Sequence, residues 1–285
     1  MRPQLVVTDL DNTVWDWFHM WYQSFSAMLQ TLETLTGLPS AVLEQEMRRV
    51  HQSVGTTEYT FVLDEMPSLI KLARPRLPSQ TYRAALAVRA EARRRETVLY
   101  PGVVDTLKTF KGREVPVLAF TESNAYWTEW RIRKTGLDGL LTVLYSAPDQ
   151  GFPDGLDRGE LRRNAPAEYG LKHTMHRTTP LGYLKPDPQI LDVMMRDCAV
   201  APQDVLYVGD SLMKDVAMAN SLGVNSALAL YGIATEKQGY ELLRRVTHWS
   251  DADVTRERTI AQADPPTPTF TLDKGYWQLL EVCDV

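Results

Sequence analysis

The sequence predicts an α/β fold in which helices cover both faces of a parallel sheet. Five apolar runs are typical of buried strands, at residues 5–7, 115–120, 140–146, 204–209 and 225–230. Helical patterns separate most of these runs, and strands that alternate with helices form parallel sheets. Ligands bind such sheets beyond the carboxyl ends of the strands, so we expect a functional site there.

Residues 16–98 interrupt this alternation, because strand signals are nearly absent from them. Four helices are predicted instead, over roughly 16–35, 39–52, 64–73 and 80–96. We therefore expect a helical insertion between the first and second strands, large enough to be a small domain. The expected division is a sheet-containing core of residues 1–15 and 99–260, the helical insertion 16–98, and a C-terminal extension 261–285.

Composition narrows the class of protein. The 285 residues carry a formal net charge of −5 at pH 7, which argues against a nucleic-acid partner. The two cysteines, Cys198 and Cys283, form no disulfide framework, which favours a reducing, cytoplasmic location. Apolar stretches long enough for a signal peptide or a membrane span are missing, so we expect no membrane partner. These features do not set the oligomeric state.

Polar side chains stand where the predicted strands end or just before a helix. They are Asp9, Asp11, Thr121, Lys185, Asp210 and Asp215. In a parallel sheet they would converge on one edge, where neighbouring carboxylates repel each other unless a cation is present. Carboxylate oxygens suit a hard cation such as Mg²⁺, and an aspartate beside it can attack phosphorus. A hydroxyl and an ammonium group can hold the other phosphoryl oxygens.

These residues resemble the four motifs of the haloacid dehalogenase-like hydrolases, in order and spacing. The matching parts are "DLDNT" at 9–13, the run that ends in Thr121, Lys185, and "GDSLMKD" at 209–215. The resemblance implies a Rossmann-like core with a helical cap inserted after the first motif, where residues 16–98 fall. The stretch "LDNTVW" is also similar to magnesium-dependent phosphatases of this superfamily, but those have little or no cap, and the long insertion departs from them.

The resemblance implies two catalytic aspartates, a phosphate-binding group and a magnesium site. Asp9 would be the nucleophile, and Asp11 would be the general acid and base. The phosphate-binding residues would be Thr121, Glu122 and Lys185. The magnesium ligands would be Asp9, the main-chain carbonyl of Asp11, Asp210 and, directly or through another ligand, Asp215.

The predicted function is a magnesium-dependent phosphatase that hydrolyses a phosphate monoester through an aspartyl-phosphate. Its substrate would be a phosphorylated small molecule or a phosphoprotein. A phosphomutase would use the same residues and remains open. A dehalogenase would attack carbon and has no need of Asp11, and a non-catalytic binding protein would be expected to lack a motif residue, yet none is missing.

The loop at residues 51–60 interrupts two predicted helices with a glycine and small polar residues. Thr56, Thr57 and Tyr59 are predicted to help choose the substrate, although an ordinary turn between helices explains the pattern equally well.

The polar segment 147–182 is predicted to be a long loop that shapes the substrate site or contains a short helix near 159–171. Within it, His173 and His176 have a spacing that could suggest zinc, but no further ligands lie in range.

Overall fold

A parallel sheet of seven strands forms the centre of the described part of the chain. The structure is a computed structural model that describes residues 1–153, 158–162, 169–250 and 265–284. Across the sheet the strands are ordered β4 (Met175–Thr178), β3 (Val143–Ala147), β2 (Val117–Asn124), β1 (Leu5–Thr8), β5 (Val205–Gly209), β6 (Asn225–Ala229) and β7 (Phe270–Leu272). The predicted parallel α/β class is confirmed.

The central strands are apolar throughout because both of their faces are covered. All four residues of β1 and all five of β5 are buried. Alternate residues of β1 face opposite sides of the sheet, so that Val6 lies in one hydrophobic cluster while Leu5 and Val7 lie in another. Strands that are buried on both faces need apolar residues at every position, which is why they are seen as short apolar runs in the sequence.

The five predicted strands are present within a few residues of their expected bounds, and β2 continues past Thr121 to Asn124. Sequence patterns missed β4, which lies in the segment 147–182, and β7, which lies in the C-terminal extension. Strand β4 is an edge strand whose residues are largely exposed, so it has no apolar run. Strand β7 has three residues, too few to show a period.

Five helices lie within residues 16–98, between β1 and β2, and confirm the predicted helical insertion. They are α1 (Trp17–Thr36), α2 (Ser40–Val54), α3 (Pro67–Ala73), α4 (Pro78–Thr81) and α5 (Arg83–Glu96), with a 3₁₀ turn at Val62–Glu65. Helix α1 ends at Gly37, whose φ of 69° is the left-handed conformation that favours glycine. Predicted helix 64–73 starts later, at Pro67, because proline is suited to the first helical turn.

The remaining helices of the described residues lie outside residues 16–98. They are α6 (Val103–Gly112), α7 (Ala125–Lys134), α8 (Arg158–Leu161), α9 (Gln189–Cys198), α10 (Ala217–Ser221), α11 (Tyr240–Val246) and α12 (Leu279–Val282), with a π-helical turn at Leu212–Val216. Helix α8 overlaps the short helix predicted near 159–171, of which residues 163–168 lie outside the described part. No helix among the described residues combines the length and the apolar character that crossing a membrane requires.

Helix α11 follows β6 in the chain but packs against the insertion. Leu242, Leu243 and Val246 belong to the same hydrophobic cluster as the insertion helices. The ring nitrogen Nδ1 of His51 in α2 lies 2.7 Å from the carbonyl oxygen of Val246. The insertion is therefore completed by a helix from the far end of the chain.

The described part of the C-terminal extension packs on the core. Strand β7 pairs with β6, and Tyr276, Leu279 and Cys283 are buried in the cluster that contains Val6. The extension thus continues the sheet and covers part of one of its faces.

Candidate active site

Asp9 lies directly after β1, between the strands β2 and β5, and is 7% exposed. Its main-chain N–H donates to the carbonyl of Val208 at 2.7 Å, which fixes the backbone at the end of the strand. Nζ of Lys185 donates to its Oδ1 at 2.7 Å. Burial raises the pKa of Asp9 to about 7, while Lys185 acts in the opposite direction.

Lys185 joins Asp9 to a second buried carboxylate. Its Nζ also donates to Oδ1 of Asp215 at 2.7 Å. Burial alone would lower the pKa of Lys185, but Asp215 and Asp9 hold it well above its ordinary value. Asp215 further accepts from the hydroxyl of Tyr207 at 3.0 Å and the N–H of Ser211 at 3.1 Å. The ammonium group is therefore ionised and fixed between two carboxylates.

Asp210 completes a group of three carboxylates with Asp9 and Asp215. One oxygen from each lies within 4.8 Å of the others. Burial and the charges of Asp9 and Asp215 raise the pKa of Asp210 well above its usual range. Among the described residues this is the one group of three or more histidine, cysteine or acidic side chains close enough to share an ion. Hard oxygen ligands of this kind suit a divalent cation such as Mg²⁺.

Asp11 has a separate set of partners. Its Oδ1 accepts from Nε1 of Trp15 at 2.6 Å, and its Oδ2 accepts from the hydroxyl of Ser123. Nη1 of Arg131 lies 3.6 Å from Oδ1. The side chains of Asp9 and Asp11 are therefore held by different groups, although only Leu10 separates them in the sequence.

Thr121 and Glu122 lie on β2 beside the carboxylates. The buried hydroxyl oxygen of Thr121 accepts from the N–H of Ser123 at 3.1 Å, which leaves its own proton for another acceptor. The carboxylate of Glu122 accepts from the N–H of Lys185 at 2.7 Å and from Nζ of Lys214 at 2.6 Å. The side chain of Glu122 thus holds the main chain of Lys185 in place. Phosphate binding by Glu122 stays a prediction.

The loop after α2 reaches the site through Glu58. Its Oε1 accepts from Nη2 of Arg131, and its Oε2 accepts from Nε1 of Trp17 at 3.2 Å. Burial alone would raise the pKa of Glu58, but Arg131 and Arg93 hold it below its usual range. Glu58 and Arg131 are 73 residues apart, and no local pattern in the sequence indicates their pairing.

Thr56 and Tyr59, two of the three loop residues singled out from the sequence, make hydrogen bonds away from the acidic group. Thr56 accepts from the N–H of Glu58 at 3.2 Å, and the hydroxyl of the buried Tyr59 donates to Glu65. Thr57 is also buried. The hydrogen bonds of Thr56 and Tyr59 stay within the insertion, and the role of all three residues in choosing a substrate stays a prediction.

The histidine pair does not assemble a zinc site among the described residues. His176 uses both ring nitrogens, with Nδ1 2.7 Å from Oε1 of Glu129 and Nε2 2.8 Å from the hydroxyl of Ser146. Its ring is therefore part of a buried polar network on β3, β4 and α7.

Comparisons with known proteins identify the family of this chain. A family model described as haloacid dehalogenase-like hydrolase matches residues 3–223, and the chain belongs to this family. Phosphoglycolate phosphatase 1 from Pseudomonas aeruginosa is 28% identical over 233 residues, which cover 81% of this chain and 70% of the relative.

Two solved structures share the overall fold. A 2-haloacid dehalogenase from Pseudomonas syringae pv. Tomato DC3000 is 18% identical, with a TM-score of 0.53 and coverage of 99% of this chain and 98% of that chain. The HAD-hydrolase YfnB from Bacillus subtilis, bound to magnesium, is 12% identical, with a TM-score of 0.53 and coverage of 100% of both chains. At these identities the likeness concerns the fold alone.

Proposed function

We propose that this protein is a magnesium-dependent phosphatase that hydrolyses a phosphate monoester through an aspartyl-phosphate on Asp9. The observation that carries the proposal is the position of Asp9, whose carboxylate lies both in the group of three acidic side chains and 2.7 Å from Nζ of Lys185. A nucleophile for phosphorus needs positive charge around it, and this arrangement provides one cation and the ligands for a second.

The phosphoryl group would be held beside Asp9. Mg²⁺, bound by Asp9, Asp210, the carbonyl of Asp11 and, directly or through another ligand, Asp215, would supply positive charge that offsets repulsion between carboxylate and phosphate. Lys185 and the free proton of the Thr121 hydroxyl would bind phosphoryl oxygens. Asp9 attacks phosphorus in line, and the bond from phosphorus to the leaving oxygen breaks as the aspartyl-phosphate forms.

Asp11 would move the protons of both steps. It donates a proton to the leaving oxygen and then takes one from the water that hydrolyses the aspartyl-phosphate. Trp15, Ser123 and Arg131 fix its carboxyl group, so that it cannot rotate freely between the two steps. Proton transfer by a positioned carboxyl group contributes roughly a hundred- to ten-thousand-fold to such a rate.

In this proposal residues 16–98 are the cap, and residues 1–15 and 99–260 are the catalytic core. The cap closes over the phosphoester and limits water, as the contact between Glu58 and Arg131 supports. The Pseudomonas aeruginosa relative carries the name phosphoglycolate phosphatase 1. That name supports a phosphorylated small molecule as the substrate over a phosphoprotein.

The rival reactions use parts of the same site. A phosphomutase would return the phosphoryl group to a sugar, so product analysis with a hexose 1-phosphate separates the two. A dehalogenase attacks carbon and needs neither the proton carrier Asp11 nor a metal-binding acidic group. The presence of both favours phosphoryl transfer.

Metal removal tests the proposal. Hydrolysis of p-nitrophenyl phosphate should stop when the protein is treated with a chelator and return when Mg²⁺ is added. Calcium should substitute poorly, because its looser coordination misplaces the nucleophile. Protein that is passed through the same buffers without chelator is the control. Full activity in protein shown by metal analysis to be free of divalent ions would refute the proposal.

A further inference from the structure

Three arginines are buried in the insertion and on the helix that follows β2. Arg89 and Arg93 are on helix α5 and are 6% and 7% exposed, and Arg131 is on α7 and is 0% exposed. We call these three residues the arginine cluster. Arginine is seldom buried this deeply without a partner for its charge, so each of the three requires an explanation.

The partners of the arginine cluster are few. Arg131 donates to Glu58 and lies 3.6 Å from Asp11. The guanidinium carbon of Arg93 lies 3.9 Å from the ring centre of Trp127, and Nη1 of Arg89 lies 3.8 Å from the sulfur of Met28. Among the described residues, only Arg131 of these three makes a direct ion pair. Glu58 attracts Arg89 and Arg93 from farther away, and their aromatic and sulfur contacts add no negative charge.

Several donor nitrogens of the arginine cluster are buried and lack an acceptor among the described residues. They are Nε of Arg89, Nε of Arg93, and Nε and Nη1 of Arg131. An unpaired donor on a buried charged group is costly, and native structures contain few of them. The charges of Arg89 and Arg131 both act on Arg93, so the three groups lie close together, and Arg131 lies beside Asp11. A single anionic group could therefore satisfy several of these nitrogens.

The helix itself increases the cost of this arrangement. Arg89 and Arg93 are four residues apart, so they share one face of α5 and repel each other. Burial, together with the charge of Arg89, lowers the pKa of Arg93 to about 9. An anion that binds between the two arginines would relieve this repulsion. Without such an anion, the repulsion destabilises the folded protein.

We propose that Arg89, Arg93 and Arg131 bind a second anionic group of the substrate, either a carboxylate or a second phosphate. This inference rests on the proposed phosphatase function and specifies its substrate class. Arg131 contacts Asp11, the residue that would protonate the leaving oxygen, so the subsite adjoins the leaving group. The second anion therefore belongs to the alcohol that the reaction releases.

A comparison of matched esters tests the subsite. The kcat/KM values for 2-phosphoglycolate, ethylene glycol bisphosphate and ethyl phosphate are measured with Mg²⁺ present. One or both anionic esters should exceed ethyl phosphate by about 10- to 100-fold, the range expected for hydrogen bonds to charged groups. The ester that benefits identifies the carboxylate or the phosphate as the second anion. Equal values for all three would overturn the inference while leaving the phosphatase proposal intact.

The Arg93→Met variant assigns the selectivity to the cluster. Its ratio of kcat/KM for the preferred anionic ester to that for ethyl phosphate should fall by about 10- to 100-fold. Arg94→Met is the matched control, since Arg94 is the exposed neighbour on the same helix, and it should keep the wild-type ratio. An unchanged ratio in Arg93→Met would refute the assignment. Arg89→Met provides the same test should Arg93→Met not fold.

Thermal unfolding separates binding from a structural role. Because Arg93 makes no direct ion pair among the described residues and its Nε is buried without an acceptor, Arg93→Met should melt no lower than the wild type. Malonate, which carries carboxylates but no ester, should raise the melting temperature of the wild type and not that of Arg93→Met. This measurement needs no turnover, so it tests the subsite even if the protein hydrolyses no ester. A lower melting temperature in Arg93→Met, with no malonate effect in the wild type, would indicate a structural arginine.

Discussion

Arg131 connects Asp11 of the sheet to Glu58 of the insertion, with Nη1 3.6 Å from Asp11 Oδ1 and Nη2 donating to Glu58. One buried guanidinium group thus contacts both the proton carrier of the proposed reaction and the loop after α2. The position of the insertion over the sheet therefore affects the environment of Asp11.

Removal of the Glu58 charge tests this connection. Glu58→Gln leaves Arg131 with a single, more distant carboxylate, and breaking a buried pair costs about 3–5 kcal/mol of unfolding free energy. Urea unfolding measures the loss, and turnover of p-nitrophenyl phosphate should fall in parallel. Glu91→Gln, on the exposed face of α5, is the control and should change neither quantity. A Glu58→Gln protein as stable as the wild type would mean that the ion pair contributes nothing.

The two aspartates of the first motif should respond differently to the same substitution. Asp9→Asn retains the shape but removes the nucleophile, so no phosphoenzyme can form and activity should vanish. Asp11→Asn retains the nucleophile and loses only the proton carrier, a reduction of roughly a hundred- to ten-thousand-fold with alkyl esters. Aryl phosphates, whose leaving groups need no proton, should lose less. Acid quenching with labelled substrate checks both, and label on Asp9→Asn would show the roles to be wrong.

Gly209 gives a steric test of the acidic group. A Cβ at this position would lie 2.2 Å from Cγ of Asp215, so Gly209→Ala should displace Asp215 from Lys185. We expect a loss of about 1–3 kcal/mol in stability from overpacking, together with a large loss of activity. Gly112→Ala in α6, where a Cβ meets nothing within 4 Å, should leave activity unchanged. Normal activity in Gly209→Ala would mean that the position of Asp215 is unimportant.

His51 predicts how stability depends on pH. Its Nδ1 faces the Val246 carbonyl and so carries the proton, whereas Nε2 is buried without a partner among the described residues. Burial lowers the pKa of His51 from 6.5 to about 4. Below pH 6.5, His51 binds a proton in the unfolded chain but stays neutral in the folded chain. The free energy of unfolding therefore falls as the pH is lowered from 6.5 to 4.

Protonation of His51 in the unfolded chain should lower the free energy of unfolding by about 2 kcal/mol between pH 7 and pH 5. Urea unfolding at the two pH values measures it, with His51→Gln as the variant that cannot titrate. The stability of His51→Gln should depend less on pH by that amount. An identical pH dependence in the two proteins would contradict the assignment.

The acidic group could be predicted from the sequence because its members follow strands that are themselves evident. Asp9, Asp210 and Asp215 come after buried apolar runs, and parallel strands bring their carboxyl ends to one edge. The contacts of Glu58 and the arginine cluster could not be predicted, because they depend on how the insertion is placed over the sheet. An arginine-rich helix such as α5 otherwise indicates a solvated surface.

The location of helix α11 has a consequence for synthesis on the ribosome. The insertion is translated first, but its hydrophobic cluster stays incomplete until residues 240–246 emerge, and 195 residues separate His51 from its partner Val246. The nascent chain therefore carries exposed apolar surface for most of its translation, which is the condition under which chaperones bind. Both parts of the protein should reach their final structure together, in a late step that awaits the C-terminal third of the chain.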